Sequence, residues 1–145
     1  MKRMALMLAV AFGAGAVFGA IGYPTLRAQD SATPKSTTIL QADAVGIDGK
    51  EVLVQLTEFA PRASSGKHFH PGHEVAYVLS GSLIREVEGQ PSTPMKAGES
   101  AYIPAKVPHE TKNASTTEPL KLLVFRIHEK GHPVTHRLAE PYFWQ

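Results

Sequence analysis

The segment GKHFHPGHEVAYVLSG, residues 66–81, gathers His68, His70, His73 and Glu74 into seven positions of a chain that holds only seven histidines. Imidazole nitrogens and carboxylate oxygens are ligands for divalent transition metals, and imidazole also exchanges protons near neutral pH. Residues two apart on a strand share a face, so His68 and His70 can converge on one point. Pro71-Gly72 then turns the chain, and Glu74 opens an apolar run with Val75, Tyr77 and Leu79 on the side opposite to it. Two imidazoles and a carboxylate on neighbouring strands suit an open metal site with coordination positions to spare. A hydrated, histidine-rich turn would explain the same residues, so the rest of the chain has to decide.

A second segment, GESAYIPAKVPHETKN at residues 98–113, places His109 after a Pro-bounded run. On these two segments the chain resembles the cupins. His68, His70, Glu74 and Gly81 fall on the first cupin motif, with three residues before the glutamate and six after it; Gly98, Pro104, His109 and Asn113 fall on the second. Two positions depart from the pattern. Lys106 replaces the middle glycine of the second motif, and Arg62 replaces a glycine usually found six residues before the HxH pair. Both are turn positions, so loop shape is affected more than metal binding.

The resemblance implies an all-β fold, a cupin-type jelly-roll β-barrel (double-stranded β-helix, RmlC-like). It implies one divalent transition metal ion (Zn, Cu, Fe, Mn or Ni) in the barrel mouth, with His68, His70, Glu74 and His109 as ligands. Small stand-alone cupins of this kind are called quercetin-dioxygenase-like, which describes shape and site and names no substrate. The resemblance therefore implies a metal-dependent enzyme on a small oxygenated molecule, dioxygenase-like in its first reading. Lyase, isomerase or decarboxylase chemistry, or a non-catalytic small-ligand module, are the alternatives. Such cupins often form homodimers, which is the expectation here.

Beside the ligands, Glu74 has a second candidate role as a base. His73, one position earlier, should point away from the metal on an extended strand, with a proton shuttle as its functional alternative. Tyr77 and Tyr102 lie on expected strands and read as core aromatics. Arg85 and Glu86 take opposite faces of SLIREVE; an inward Arg85 would grip a carboxylate, but a solvated edge position is the favoured reading. His128, His132 and His136 recur every four residues, yet Gly131 and Pro133 exclude a regular helix there, so they read as surface residues of a tail.

These residues must be positioned by strands. TTILQADAV, EVLVQLTEF, VAYVLSG, SLIREVEG, ESAYIP and LKLLVFRIHEK are short apolar or alternating runs, separated by Gly- and Pro-containing turns. QPSTPMKAG reads as a loop, and AKVPHETKN and ASTTEP as polar connections. Past the leader, no stretch free of Gly and Pro has helical periodicity, which favours a β-sandwich or barrel. The expected organisation is a leader at 1–28, a flexible linker at 29–37, the cupin domain at 38–130 and a carboxy-terminal tail at 131–145 that ends in the aromatic YFWQ.

Lys2 and Arg3 precede the uncharged apolar stretch from Met4 to Gly22, the layout of a secretory signal peptide with Ala28 as cleavage candidate. An uncleaved membrane anchor is the alternative, because such a stretch is long enough to span a bilayer. Either way the domain is expected outside the cytoplasm, periplasmic or secreted, and touches a membrane only if the leader stays. The chain's formal charge of +2 becomes −1 without residues 1–28, which hold Lys2, Arg3 and Arg27 and no acid. A nearly neutral domain calls for no nucleic-acid partner. Without cysteine, disulfides and thiolate ligands are excluded.

Overall fold

The computed structural model describes residues 33–138. The expected leader with its Ala28 cleavage point and the terminal YFWQ lie outside the described residues. Among the described residues, no helix is long and apolar enough to cross a membrane.

Ten strands follow in chain order: β1 (Lys35–Asp43), β2 (Lys50–Phe59), β3 (His68–Phe69), β4 (His73–Ser80), β5 (Ser82–Val87), β6 (Thr93–Lys96), β7 (Ser100–Ile103), β8 (His109–Asn113), β9 (Leu120–Glu129) and β10 (His136–Arg137). They form two five-stranded antiparallel sheets, ordered β1-β2-β9-β4-β7 and β10-β3-β8-β5-β6. Strands that are consecutive in sequence alternate between the sheets at several points, which is the jelly-roll way of closing a barrel.

Period-two alternation explains which side chains fill the interior. On β9, Leu120, Leu122, Val124, Arg126 and His128 are buried while Lys121 and Phe125 are exposed. Ala76 and Val78 of β4, Leu83 of β5 and Phe59 of β2 meet the inward face of β9 in one core. Phe59, Leu122 and Val124 also line the central cavity, so the core runs directly into the site.

Several expectations are corrected here. QPSTPMKAG contains β6, whose Pro94 sits on the sheet edge where no ladder donor is needed. AKVPHETKN contains β8, which pairs with β5 from Val87↔His109 to Leu83↔Asn113. The linker shortens, because Lys35–Thr37 already pair with Glu58–Leu56, and the tail contributes β10, paired with β3. Tyr77 and Tyr102 are not core aromatics: they are 42% and 58% exposed on the outer face of the first sheet. Arg85 is not at a solvated edge but 5% exposed, and His128 is no surface residue at 1%. Alternation assigned these residues to one face or the other, but it could not say which face is covered.

The two departures from the cupin motifs are visible in the backbone. Arg62 and Lys106 have φ of 62° and 64°, the left-handed region that glycine enters freely and other residues enter at a cost. The turns keep a glycine-type shape despite their side chains. Gly72 is constrained differently: a Cβ there would lie 2.0 Å from the Ile127 carbonyl oxygen, so only glycine lets the Pro71-Gly72 turn rest on β9.

Candidate metal centre

His68 lies on β3, His70 follows it, and His109 starts β8 directly opposite His68 in the ladder. The three side chains are buried, and one nitrogen from each lies within 4.8 Å of the others, an arrangement able to hold a metal ion. What the three rings share is their outer bonding. Their Nδ1 atoms stand against main-chain carbonyls: His68 on Gly66 at 2.8 Å, His70 on Val134 at 2.6 Å and His109 on Val107 at 3.0 Å. A carbonyl only accepts, so each Nδ1 carries a proton and Nε2 is the atom each ring has left for a ligand; at His70 that atom faces the Glu74 carboxylate, 3.0 Å away. This is how proteins fix the tautomer and orientation of metal-ligating histidines. The donor set therefore fits a divalent transition metal.

Electrostatics agree. Burial, reinforced by the neighbouring His109, pushes the His68 pKa from 6.5 down to about 4. Burial also lowers His109. Both rings stay neutral at physiological pH, the form that binds metals.

Glu74, on β4, is buried with Oε2 3.0 Å from His70 Nε2. That oxygen also accepts from Arg126 Nε at 2.9 Å and Nη2 at 2.7 Å. Burial acts to raise the Glu74 pKa, but the His70 contact and the Arg126 charge together outweigh it and hold the carboxyl well below the usual range. Arg126 is a site residue that the sequence alone did not single out. Its signal was a charged residue on the apolar parity of LKLLVFRIHEK, sharing a face with Leu122 and Val124. Gln55 Oε1 accepts from Arg126 Nη1 and completes the group.

His73 sits on the outer face, as alternation indicated, stacked on Tyr102 with Nδ1 2.7 Å from its hydroxyl. That geometry does not bring it to the cavity. Arg85 is inside, its pKa lowered by burial and partly restored by Glu74, and its Nε has no partner. His128 Nε2 donates to the His132 carbonyl at 3.0 Å. His136 stacks on Phe69 at 4.9 Å, so the three tail histidines form no cluster.

The histidines open onto a cavity of about 170 Å³. Phe59, Leu122 and Val124 give it an apolar wall; Ser36, Thr57 and Thr111 add hydroxyls, and Arg137 stands among the lining residues. Asn113, the last residue of the second motif, lies away from the ligands. Its amide donates to Ala60 O at 3.0 Å and Glu118 O at 2.8 Å and accepts from Ser115 N at 2.9 Å, tying three loop segments together.

Two antiparallel sheets closed into a jelly roll around inward-facing histidines define a cupin, and the chain belongs to the cupin family. The Cupin domain family profile matches residues 55–126. Among characterised relatives, it is similar to the β-alanine degradation protein BauB of Pseudomonas aeruginosa, 39% identical over 77 residues that cover 51% of this chain and 80% of that protein. Among solved structures it is similar to a cupin-like protein of Thermotoga maritima, with 23% identity, a TM-score of 0.59 and coverage of 73% and 76% of the two chains. It is also similar to the DMSP lyase DddQ of Ruegeria pomeroyi, with 18% identity, a TM-score of 0.59 and coverage of 78% of this chain and 55% of that one. At these identities the structural likenesses speak for the fold alone.

Proposed function

We propose that this chain is an exported, metal-dependent cupin enzyme in which His68, His70 and His109 hold one divalent transition metal, and that it acts on a small oxygenated molecule. The observation that carries this is the set of three buried imidazoles, each oriented by a main-chain carbonyl that leaves its Nε2 for a ligand. A bound ion would supply Lewis-acid polarisation of a ligand oxygen and, for Fe or Cu, reaction with O₂ in a dioxygenase-like step. The chain's own contribution is enclosure and orientation. Phe59, Leu122 and Val124 exclude water from one side, while the Ser36, Thr57 and Thr111 hydroxyls offer hydrogen bonds to a polar substrate. The relative named for β-alanine degradation points to small, oxygen-bearing metabolites as the first substrates to screen.

A second reading, a non-catalytic ligand or metal carrier, has one observation in its favour. Among the described residues Glu74 is the only acid lining the cavity, and Arg126 already neutralises it, so no free carboxylate base faces the ligand. Elemental analysis of protein purified from its native compartment, beside a His70→Ala control, tests both. About one Fe or Cu per chain that is lost in the control supports the dioxygenase-like reading, to be followed by O₂-uptake screens. Zn or Mn at that level directs the assays to lyase, isomerase and decarboxylase activity. Absence of metal from both samples would refute the metalloenzyme reading.

Export and assembly belong to the same proposal. Export rests on the apolar leader and is checked by the mature amino terminus found in the periplasmic fraction. A homodimer would cover the outer face of the first sheet, where Val54, Phe125, Val75 and Tyr102 follow one another across four strands. Phe125, Val75 and Tyr102 are exposed there. A monomeric mass in light scattering would exclude this.

A further inference from the structure

Among the described residues Glu74 is the one acid that lines the cavity with the three histidines, and Arg126 has already engaged it. Glu74 and Arg126 are cross-strand partners on β4 and β9, both side chains only 8% exposed. Two guanidinium N–H groups reach the same carboxylate oxygen, at 2.9 and 2.7 Å, and Gln55 holds the far side of the guanidinium. His70 Nε2 lies 3.0 Å from that same Glu74 oxygen and 3.3 Å from Arg126 Nη2, so the ring nitrogen makes at most one hydrogen bond there. An incoming ion therefore meets two unequal obstacles. Taking His70 Nε2 costs that ring one contact, but drawing Glu74 away breaks two short charge-assisted bonds from Arg126. It would also strand a buried guanidinium, since Glu74 is the one acidic partner of Arg126 among the described residues. Arg85, buried with an unpartnered Nε, is already a second cation inside the barrel, so the interior has no spare negative charge to offer Arg126.

We propose that Arg126 withholds Glu74 from the metal, so that His68, His70 and His109 alone bind the ion. Glu74 stays in its ion pair as a positioning partner, and the coordination place that the cupin motif assigns to a glutamate is left open to ligand. This rests on the metal-binding reading above and sharpens it: an ion bound by three neutral imidazoles keeps its full charge for an exogenous oxygen ligand.

A crystal structure of the Zn²⁺-loaded wild-type protein decides the matter directly. The expected result is three imidazole nitrogens at about 2.0–2.1 Å from zinc, with Glu74 still on Arg126 and outside bonding distance. A Glu74 oxygen at about 2.0–2.2 Å from zinc would overturn the proposal while leaving the metal site intact. Zinc affinities of Glu74→Gln, Arg126→Gln and the double variant, measured by competition titration, give the energetic counterpart. Arg126→Gln should bind zinc about tenfold more tightly by releasing Glu74 to the ion, and adding Glu74→Gln should abolish that gain, returning affinity to within about threefold of wild type. A gain that survives the second substitution would be plain charge repulsion, and an affinity loss of about tenfold or more in the double variant would make Glu74 a ligand after all; either result refutes the proposal. If Arg126→Gln does not fold, the wild-type zinc structure decides between the two positions of Glu74 by itself. Folded wild-type protein that takes up no zinc would instead remove the metal-binding reading on which the proposal stands.

Discussion

Acidification of the metal-free protein should reveal what it costs to keep His68 neutral. Its pKa falls from 6.5 to about 4 in the folded state, with burial as the largest cause and His109 as the next. The unfolded chain therefore binds a proton at His68 that the folded chain refuses, and stability rises with pH wherever the unfolded state holds more protons. The penalty is absent above pH 6.5, grows as pH falls towards 4, and changes no further below that. At about 1.4 kcal/mol per pH unit, the full interval is worth about 3 kcal/mol, a large share of an ordinary domain's stability. The lowered pKa of His109 adds a loss of the same sign as pH falls. Urea unfolding of the metal-free protein at half-unit steps from pH 7 to 4, with a His68→Gln variant beside it, measures this. The wild type should lose stability steadily, and the variant should lose about 3 kcal/mol less over the interval. Equal slopes in the two proteins would mean that His68 titrates freely in the folded state, and the buried-imidazole account of the site would fail.

Two further outcomes follow from the backbone and the loops. Lys106→Gly should raise stability by about 0.5–1 kcal/mol, since φ of 64° strains any residue with a Cβ and the Lys106 N–H bond to the His70 carbonyl survives the change. A melting temperature that falls instead of rising by a few degrees would show that the lysine side chain, not the turn, is what matters at this position. Asn113→Ala should cost about 2 kcal/mol, because it removes three part-buried hydrogen bonds, to the Ala60 and Glu118 carbonyls and from the Ser115 N–H. Chemical denaturation that finds less than about 1 kcal/mol would mean water replaces the amide.

Much of the candidate metal centre was legible because the HxH pair is local. The HxH pair shares a face by strand alternation, Pro71-Gly72 must turn, and the distance along the chain to His109 follows a family pattern, so the three histidines that the structure groups together could be named without coordinates. The turn positions at Arg62 and Lys106 were legible for the same reason: the motif places a backbone demand there, and the left-handed φ values meet it. The long strands β2, β4 and β9 were also visible, since their apolar alternation repeats over eight to ten residues.

Short or polar strands were not. HETKN became β8 through pairing with β5, and TPMK became β6 on an edge, neither of which apolar content announces. Alternation states that two residues lie on opposite faces, but only the packing of one sheet on the other decides which face is interior. That is why Tyr77 and Tyr102 are outside and Arg85 and His128 inside, against the reading of each in isolation. The pairing of Glu74 with Arg126 belongs wholly to the tertiary structure. The two residues are 52 positions apart and meet because β4 and β9 lie side by side in one register. Local spacing put His68 and His70 side by side; the sheet register brought His109 opposite them and determined which charge stands there, and so how much of Glu74 is left for a metal.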